Sequence, residues 1–337
     1  MGDLARRTIP GWVEMTATLT GFVGIDSGRE IAQAIVDGII SGASYALLGI
    51  AFALILGVTG RFHFAFGILY TLSAYIAALG VGPWGLPLIP AALVGLAVGV
   101  ALGVLVEYIV YRPLATRAGE SALLTVFVAS LGLMIAGENA IRLIWGNEAR
   151  NLGGFPDHTY SVAGAHFSLI ELVLVLVAIA VALLLTVVLD RTIFGQQIRA
   201  VRGNPDMAQA VGVNLRRVFL MVFAVGSLIG GIAALFAGMR FAAAPDMGNT
   251  PVFYAFVVAF VAGVGRSPVV VGAVGLLFGV AERISTLWVS DNLSALAVFG
   301  LLFLWLTIRM LPRAVRQLSG AMSRARPTPA GRTPEAG

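Results

Sequence analysis

The sequence predicts an all-α, polytopic membrane protein with about eight or nine transmembrane helices. One basis is composition: of 337 residues, 58% are hydrophobic and 12% are charged, whereas about 25% of residues are charged in a typical soluble domain. The other is the length of the stretches without Asp, Glu or Arg, several of which reach the roughly 20 residues that a helix needs to cross a bilayer. These stretches are 38–60, 62–106, 172–189, 218–239, 247–265 and 292–308.

The apolar stretches define the candidate spans and the domain limits. The predicted span 252–265 has only about 14 residues before Arg266, so we expect a re-entrant or broken helix whose backbone is covered by protein or lines a cavity. The spans form a transmembrane domain at 31–311, after an N-terminal extension at 1–30 and before an Arg/Pro-rich tail at 312–337. In chain order the predicted spans are 31–57, 62–81, 88–111, 121–145, 169–189, 217–240, 252–265, 268–288 and 294–311.

All 22 basic residues are arginine, and the chain has neither lysine nor cysteine. The absence of lysine excludes a Walker A phosphate loop and Schiff-base chemistry. The absence of cysteine excludes disulfides and thiolate metal sites. The sequence also lacks HExxH, G-x-S-x-G and paired carboxylates at catalytic spacing. We therefore expect no enzymatic activity, no metal site and no cofactor bound by this chain.

The positions of the arginines predict the orientation in the membrane. They concentrate in the segments 112–117 and 190–217 and in the tail, and arginine-rich segments remain on the cytoplasmic side. The segment 146–168 then faces outside. We expect these arginines to orient the protein in a lipid bilayer rather than to bind nucleic acid. The side of the N-terminus stays open, because Arg6 and Arg7 oppose the outside position that the span count requires.

Two parts of the chain have similar glycine patterns, which predicts an inverted repeat. Glycines recur at four-residue spacing before Glu107, and a nearly identical pattern precedes Glu282 about 176 residues later. The two copies lie in the third and the eighth predicted spans, an odd step of five in chain order, so they have opposite orientations. Inverted repeats are typical of transporters, in which the substrate path lies between the halves. The alternative is that glycine-rich membrane helices resemble one another by composition alone.

The segment 190–217 predicts a short helix outside the membrane. Asn204 is a suitable N-cap, Pro205 suits the first helical position, and Asp206 favours the positive end of the helix dipole. Gly212 is suited to end the helix in the left-handed conformation. A short apolar helix held between two spans either docks on a partner or lies on the lipid headgroups.

This segment resembles a known motif. Residues 206–212 read DMAQAVG and resemble the EAA-xxx-G coupling motif of ABC importer permeases, with Asp206 in place of Glu and Met207 in place of the first Ala. The order and spacing of further motifs over about residues 31–311 resemble the branched-chain amino-acid permeases of the LivH type. These motifs are Asp37-Gly38, Phe64-Ala65, Gly67, Ala74-Tyr75, Tyr111-Arg112-Pro113-Leu114, Ser130-Leu131-Gly132-Leu133, Pro245-Asp246-Met247-Gly248, Ala255-Phe256, Gly263, Gly265, Gly272-Ala273 and Glu282.

The chain departs from the family pattern at two places. The family commonly has Asn-Phe-Ala-His-Gly where residues 63–67 of this chain read HFAFG. Arg266 stands where the family usually has a small or apolar residue. Both departures affect what the resemblance implies about the identity of the substrate, and neither affects the prediction of a transporter.

The resemblance implies a transmembrane permease subunit of a bacterial ABC importer for branched-chain or related amino acids. It also implies a second, LivM-like permease subunit, two ATPase subunits that carry ATP and Mg, a periplasmic substrate-binding protein, and a location in the inner membrane. An autonomous secondary transporter of small apolar solutes is the alternative, and it leaves the coupling-like loop unexplained. The residues that we expect to contact the ATPase are Pro205, Asp206, Ala208, Ala210 and Gly212.

Polar and helix-breaking residues within the spans are the candidates for the substrate path. Glu138 and Arg142 have the spacing of an ion pair on one helix. For Glu107 and Glu282, near the ends of the glycine-rich helices, we expect side chains that reach the membrane interface. The candidate path residues are Ser44, Tyr45, His63, Phe66, Gly67, Ser130, Asp246 and Gly248.

Overall fold

The computed structural model describes residues 27–153, 158–162, 164–287 and 300, and the described part is mainly helical. A two-stranded antiparallel hairpin, β1 (Thr159–Val162) and β2 (Ala165–Ser168), lies between the helices Ala122–Trp145 and Leu169–Arg191. The helix Leu88–Leu105 continues through a π-helical turn, Val106–Tyr111, into the helix Arg112–Ala118. The helices are α1 (Ser27–Thr59), α2 (Phe66–Val81), α3 (Leu88–Leu105), α4 (Arg112–Ala118), α5 (Ala122–Trp145), α6 (Leu169–Arg191), α7 (Ile193–Gly203), α8 (Pro205–Ala210), α9 (Leu215–Phe241), α10 (Asn249–Ala262) and α11 (Pro268–Ser285).

These helices confirm the predicted polytopic membrane class. Within the described ranges, six helical stretches are long and apolar enough to cross a membrane, and α2 and α10 are shorter apolar helices. The short predicted span 252–265 corresponds to α10, which has 14 residues. Residues 27–30 of the predicted N-terminal extension belong to α1. The predicted span 294–311 (apart from residue 300), the tail 312–337 and residues 1–26 lie outside the described residues.

The connections between the helices gather at two ends of the bundle. At one end, here called the loop end, α7 lies beside the turn 263–267 and contacts α8, and the end of α1 also reaches this turn. At the other, the hairpin end, β2 bonds to the start of α1 through Gln33 and His166. The segment after α5 joins the segment after α9 through a bridge between Arg150 and Ala243. Consecutive apolar helices, with the shorter α2 and α10 included, therefore run in opposite directions between the two ends.

The helix α1 lies at the centre of the bundle, packed against α6, α9, α10 and α11. Its contact with α11 is a contact between backbones: a Cβ on Gly42 would lie 2.8 Å from the Cα of Leu276, and one on Gly275 would lie 2.6 Å from the Cα of Ala46. Small residues allow such close approach of membrane helices, where dispersion contacts replace the hydrophobic effect. In contrast to α1, the helix α5 leaves most of its apolar surface uncovered. Of its 18-residue apolar stretch 17% is buried inside the protein, compared with 83% of the corresponding stretch of α1.

Two helix pairs have the opposite orientations that the repeat predicts. The helix α2 runs toward the hairpin end and α3 returns, whereas α10 runs toward the loop end and α11 returns. Each pair joins a short helix to a glycine-rich helix. The glycines of α3 pack on α2 and α9 at Ser73 and Ser227, and those of α11 pack on α1. The glycine spacing thus serves close helix packing in both halves.

Candidate coupling loop and transport path

The segment 190–217 is tied to the end of α6 before it leaves the bundle. The hydroxyl of Thr192 caps α7 by accepting a hydrogen bond from the N–H of Gly195 at 3.2 Å. The Arg199 guanidinium donates a hydrogen bond to the carbonyl oxygen of Leu189. Because α7 is fixed at its start in this way, the following α8 has a defined position relative to the membrane helices.

The start of α8 has the predicted cap. Oδ1 of Asn204 accepts hydrogen bonds from the N–H groups of Asp206, at 3.0 Å, and Met207, at 3.1 Å. Pro205 occupies the first helical position, where its missing N–H costs no hydrogen bond. The N-terminus of α8 is therefore specified locally.

The end of α8 is closed by a glycine in the left-handed region. Gly212 has φ +91°. Its N–H donates to the carbonyl of Gln209 and the N–H of Val213 donates to the carbonyl of Ala208, both at 3.0 Å. This pair of bonds is the Schellman arrangement, which satisfies two carbonyls that the helix end leaves free. The structure thus gives α8 the self-capped form that the sequence predicts.

The surface of α8 is apolar at its most exposed points. Met207 is 66% exposed and Val211 is 80% exposed. Ala208 is buried under the helix, while Pro205, Asp206 and Ala210 are exposed. Sequence reasoning did not include Met207 and Val211 among the coupling residues. Their four-residue spacing, which places them on one face of a helix, was the available signal.

The loop also reaches the turn between α10 and α11. The Arg202 guanidinium of α7 lies so close to Gly265 that a Cβ on this glycine would overlap it, and Gly265 itself has φ +94°. Burial lowers the pKa of Arg202 from its ordinary value, yet the guanidinium remains charged at neutral pH. This contact could not be predicted from the sequence, because the two residues lie in different segments and Arg202 belongs to no motif.

Two of the candidate path residues, Gly67 at the start of α2 and Gly248 at the start of α10, meet in the structure. The N–H of Gly248 donates to Oγ1 of Thr71 at 3.0 Å. A Cβ on Gly67 would lie 3.0 Å from the carbonyl oxygen of Gly248. The first turns of α2 and α10 are therefore in backbone contact, and they run in opposite directions from this point.

The polar groups beside this contact hold the irregular segment 60–65 in place. His63 is fully buried, and its Nδ1 forms a hydrogen bond with the hydroxyl of Tyr111 at 2.8 Å. The buried Ser130 accepts a hydrogen bond from the N–H of Phe64 at 3.2 Å. Phe66 packs so closely against Gly230 of α9 that a Cβ on this glycine would overlap its ring. These candidate path residues form one buried cluster in the described structure.

A cavity of about 270 Å³ opens near the hairpin end and contains the other two candidates from α1. Ser44 and Tyr45 line it together with Thr250, Tyr254 and Arg283. The rings of Tyr45 and Tyr254 stack with their centroids 4.3 Å apart. The cavity thus combines an aromatic wall with hydroxyl groups and a guanidinium.

Asp246 lies at the edge of this region in a network of charges. The Arg142 guanidinium is 2.6 Å from the carboxylate of Glu138, which confirms the predicted ion pair. The same guanidinium is 3.6 Å from Asp246, which is too long for a direct hydrogen bond. Glu138 also accepts a hydrogen bond from Asn249 at 2.8 Å. The start of α10 is therefore linked to α5.

The expectation for the two glutamates of the glycine-rich helices is wrong. Glu107 does not extend to an interface: it is 2% exposed and paired with Arg61. Glu282 is 8% exposed and accepts a hydrogen bond from Tyr254 at 2.8 Å. Both carboxylates face neighbouring helices of the bundle. Buried carboxylates need such partners because an unpaired charge in an apolar interior is costly.

The apolar helices, the two opposed helix pairs and the external helical loop define a multi-pass membrane transport protein. Residues 34–307 match the family model described as branched-chain amino acid transport system / permease component. The chain therefore belongs to the branched-chain amino-acid transport permease family.

The relatives of known function are similar over most of the chain. The high-affinity branched-chain amino acid transport system permease protein BraD of Pseudomonas aeruginosa is 28% identical over 293 residues, which is 82% of this chain and 93% of BraD. The corresponding LivH protein of Escherichia coli K12 is 25% identical over 292 residues, which is 82% of this chain and 92% of LivH. Among solved structures, PsaBC from Streptococcus pneumoniae in complex with Fab covers 87% of this chain and 95% of its own, with a TM-score of 0.44 and 14% identity.

Proposed function

We propose that the chain is the transmembrane permease subunit of a bacterial ABC importer for branched-chain or related amino acids, located in the inner membrane. The observation that carries the proposal is α8: a self-capped helix outside the bundle that exposes Met207 and Val211 in a protein of this permease family. Exposed apolar side chains on a rigid short helix are suited to a groove on a partner protein.

The family and its relatives indicate the class of partners. BraD and LivH are named as permease proteins of high-affinity transport systems, so other components supply binding and energy. In this proposal a LivM-like permease completes the path and two ATPase subunits bind ATP and Mg beneath the loop end. A periplasmic binding protein delivers the amino acid at the hairpin end. This chain itself binds no cofactor and performs no hydrolysis.

The contacts of the loop support a mechanical route from the ATPase to the path. A displacement of α8 moves α7, since the two helices are consecutive and in contact. Arg202 of α7 contacts Gly265 in the turn 263–267, and this turn follows the end of α10. The other end of α10 bonds to α2 through Gly248 and Thr71. Movement of the loop is therefore transmitted to the contact between α2 and α10. Alternating access requires a change in the packing of these two helices.

The hairpin-end cavity has the chemistry for an amino acid. The stacked rings of Tyr45 and Tyr254 offer an apolar wall to an aliphatic side chain. Ser44, Thr250 and Arg283 offer polar groups to the charged ends of the substrate. The first turn of α10 also lines the cavity, at Thr250 and Pro251, and the positive end of a helix favours the carboxylate end of a zwitterion.

Uptake of labelled leucine into proteoliposomes that contain the complete transporter tests the proposal. Val211→Asp places a charge on the exposed face of α8, and we expect at least a tenfold loss of binding-protein-stimulated uptake with normal membrane insertion. Ile193→Asp is the matched control, because Ile193 is 74% exposed at the start of α7, outside α8. Equal loss in both variants contradicts the role of α8. Uptake by this chain alone, without ATPase subunits, favours a secondary transporter instead.

A further inference from the structure

A cavity of about 540 Å³ lies at the loop end, outside the proposed path. It is bounded by the π-helical turn, by α4 and by the segment that joins α8 to α9. Three arginines line it: Arg61, Arg112 and Arg216. The uncharged polar residues Thr116 and Gln209 also face it. Of the residues proposed to couple transport to the ATPase, Gly212 alone lines this cavity, and none of the candidate path residues does.

The cavity carries an excess of positive charge. Arg61 is paired with Glu107, the carboxylate that lines the cavity. Within the described ranges neither Arg112 nor Arg216 has a carboxylate within ion-pair distance. The Arg216 guanidinium instead lies over the ring of Tyr108, 4.8 Å from the centroid. Two guanidinium charges therefore remain available to an anion.

The helix α9 adds to the positive potential. Asn214 caps this 27-residue helix by accepting a hydrogen bond from the N–H of Arg217 at 3.1 Å. Asn214, Leu215 and Arg216 all line the cavity, so the positive end of the helix dipole points into it. Arginine side chains and a helix N-terminus together favour a phosphate group.

The surface beside the cavity is apolar and uncovered. Leu105 is 49% exposed, Tyr108 is 47% exposed and Ile109 is 56% exposed on the α3 and π-helical face. Arg216, one of the arginines that line the cavity, lies over the ring of Tyr108. The charged and apolar surfaces are therefore continuous. A free inorganic ion needs only the charged part. A ligand that uses both parts has an anionic group joined to hydrocarbon.

We propose that this cavity binds the phosphate headgroup of an anionic phospholipid, such as phosphatidylglycerol or cardiolipin, with its acyl chains along Leu105 and Ile109. Basic pockets between membrane helices on the cytoplasmic side are suited to such headgroups, and the loop end carries the arginine-rich segments. The bound headgroup contacts Gln209 and Gly212, which belong to the end of α8. The lipid therefore braces the coupling loop against the bundle.

Native mass spectrometry of the full chain in detergent tests the proposal by titration with phosphatidylglycerol, phosphatidylcholine and inorganic phosphate. The double variant Arg112→Gln with Arg216→Gln removes the two available charges. We expect its apparent Kd for phosphatidylglycerol to rise on the order of thirtyfold, at roughly fivefold per arginine. The matched control is Arg117→Gln with Arg217→Gln, which removes two exposed arginines from the same helices without touching the cavity lining. The control should bind as the unaltered chain does.

The remaining outcomes decide against the lipid. Equal weakening in the two double variants means that surface charge alone attracts the lipid. Equal binding of phosphatidylcholine and phosphatidylglycerol removes the role of the arginines. Competition by millimolar inorganic phosphate at full strength indicates a site for the free ion. Loss of the lipid from the complete transporter, when the ATPase subunits are bound, assigns the cavity to a partner protein.

Discussion

Gly212→Leu is the sharpest test of the coupling loop, because the structure separates its conformational effect from any steric effect. Gly212 has φ +91°, and a Cβ built on it meets no atom within 4 Å. The new Cβ therefore lies in open space at an exposed position. The effect that follows from the backbone is the cost of holding a side-chain-bearing residue in the left-handed region.

The magnitude follows from that cost. A residue with a Cβ is less stable in this conformation by about 1–2 kcal/mol, which corresponds to roughly a 5- to 30-fold shift of a two-state equilibrium. Relief of the strain breaks the hydrogen bonds from Gly212 to Gln209 and from Val213 to Ala208. The loop then loses the fixed end of α8, and Met207 and Val211 no longer face one direction.

The assay measures leucine uptake and binding-protein-stimulated ATP hydrolysis in the same proteoliposomes. We expect Gly212→Leu to lower the uptake per ATP hydrolysed by about 5- to 30-fold, with unchanged amounts of protein in the membrane. Gly203→Leu is the control, since Gly203 ends α7 with equally open space but without a positive φ. An unchanged ratio of uptake to hydrolysis in Gly212→Leu, equal to that of Gly203→Leu, refutes the argument.

Two further predictions concern the path and the orientation. Gly248→Ala should abolish uptake, because its Cβ would overlap the backbone of Gly67; Gly132→Ala, which meets nothing within 4 Å, should leave transport rates intact. A normal transport rate in Gly248→Ala would contradict this prediction, because it would show that transport does not depend on the close contact between Gly248 and Gly67. A cysteine at Ala210 should react with a membrane-impermeant maleimide only from the cytoplasmic side, and one at His158 only from outside. Reaction of both from the same side of intact cells would contradict the proposed orientation.

The sequence by itself determined the membrane class, the limits of most helices and the form of α8. These features are local: an apolar stretch of sufficient length has few alternatives to a membrane helix. The cap at Asn204 and the glycine at 212 act on backbone groups two to four residues away. The order of short motifs also predicted the permease family, which the family match confirms. The glycine patterns predicted opposed halves without any knowledge of the contacts.

Only the tertiary structure decided which residues meet across the bundle. The bond between Gly248 and Thr71 joins residues 177 positions apart, and the pair of Arg61 with Glu107 joins residues 46 apart. Both glutamates of the glycine-rich helices are consistent with an interface position in sequence, and packing alone placed them against partners inside the bundle. The link from Arg202 to Gly265 likewise arises from the approach of two segments. Such contacts depend on how helices pack, and helix packing depends on the shapes of whole surfaces rather than on any local pattern.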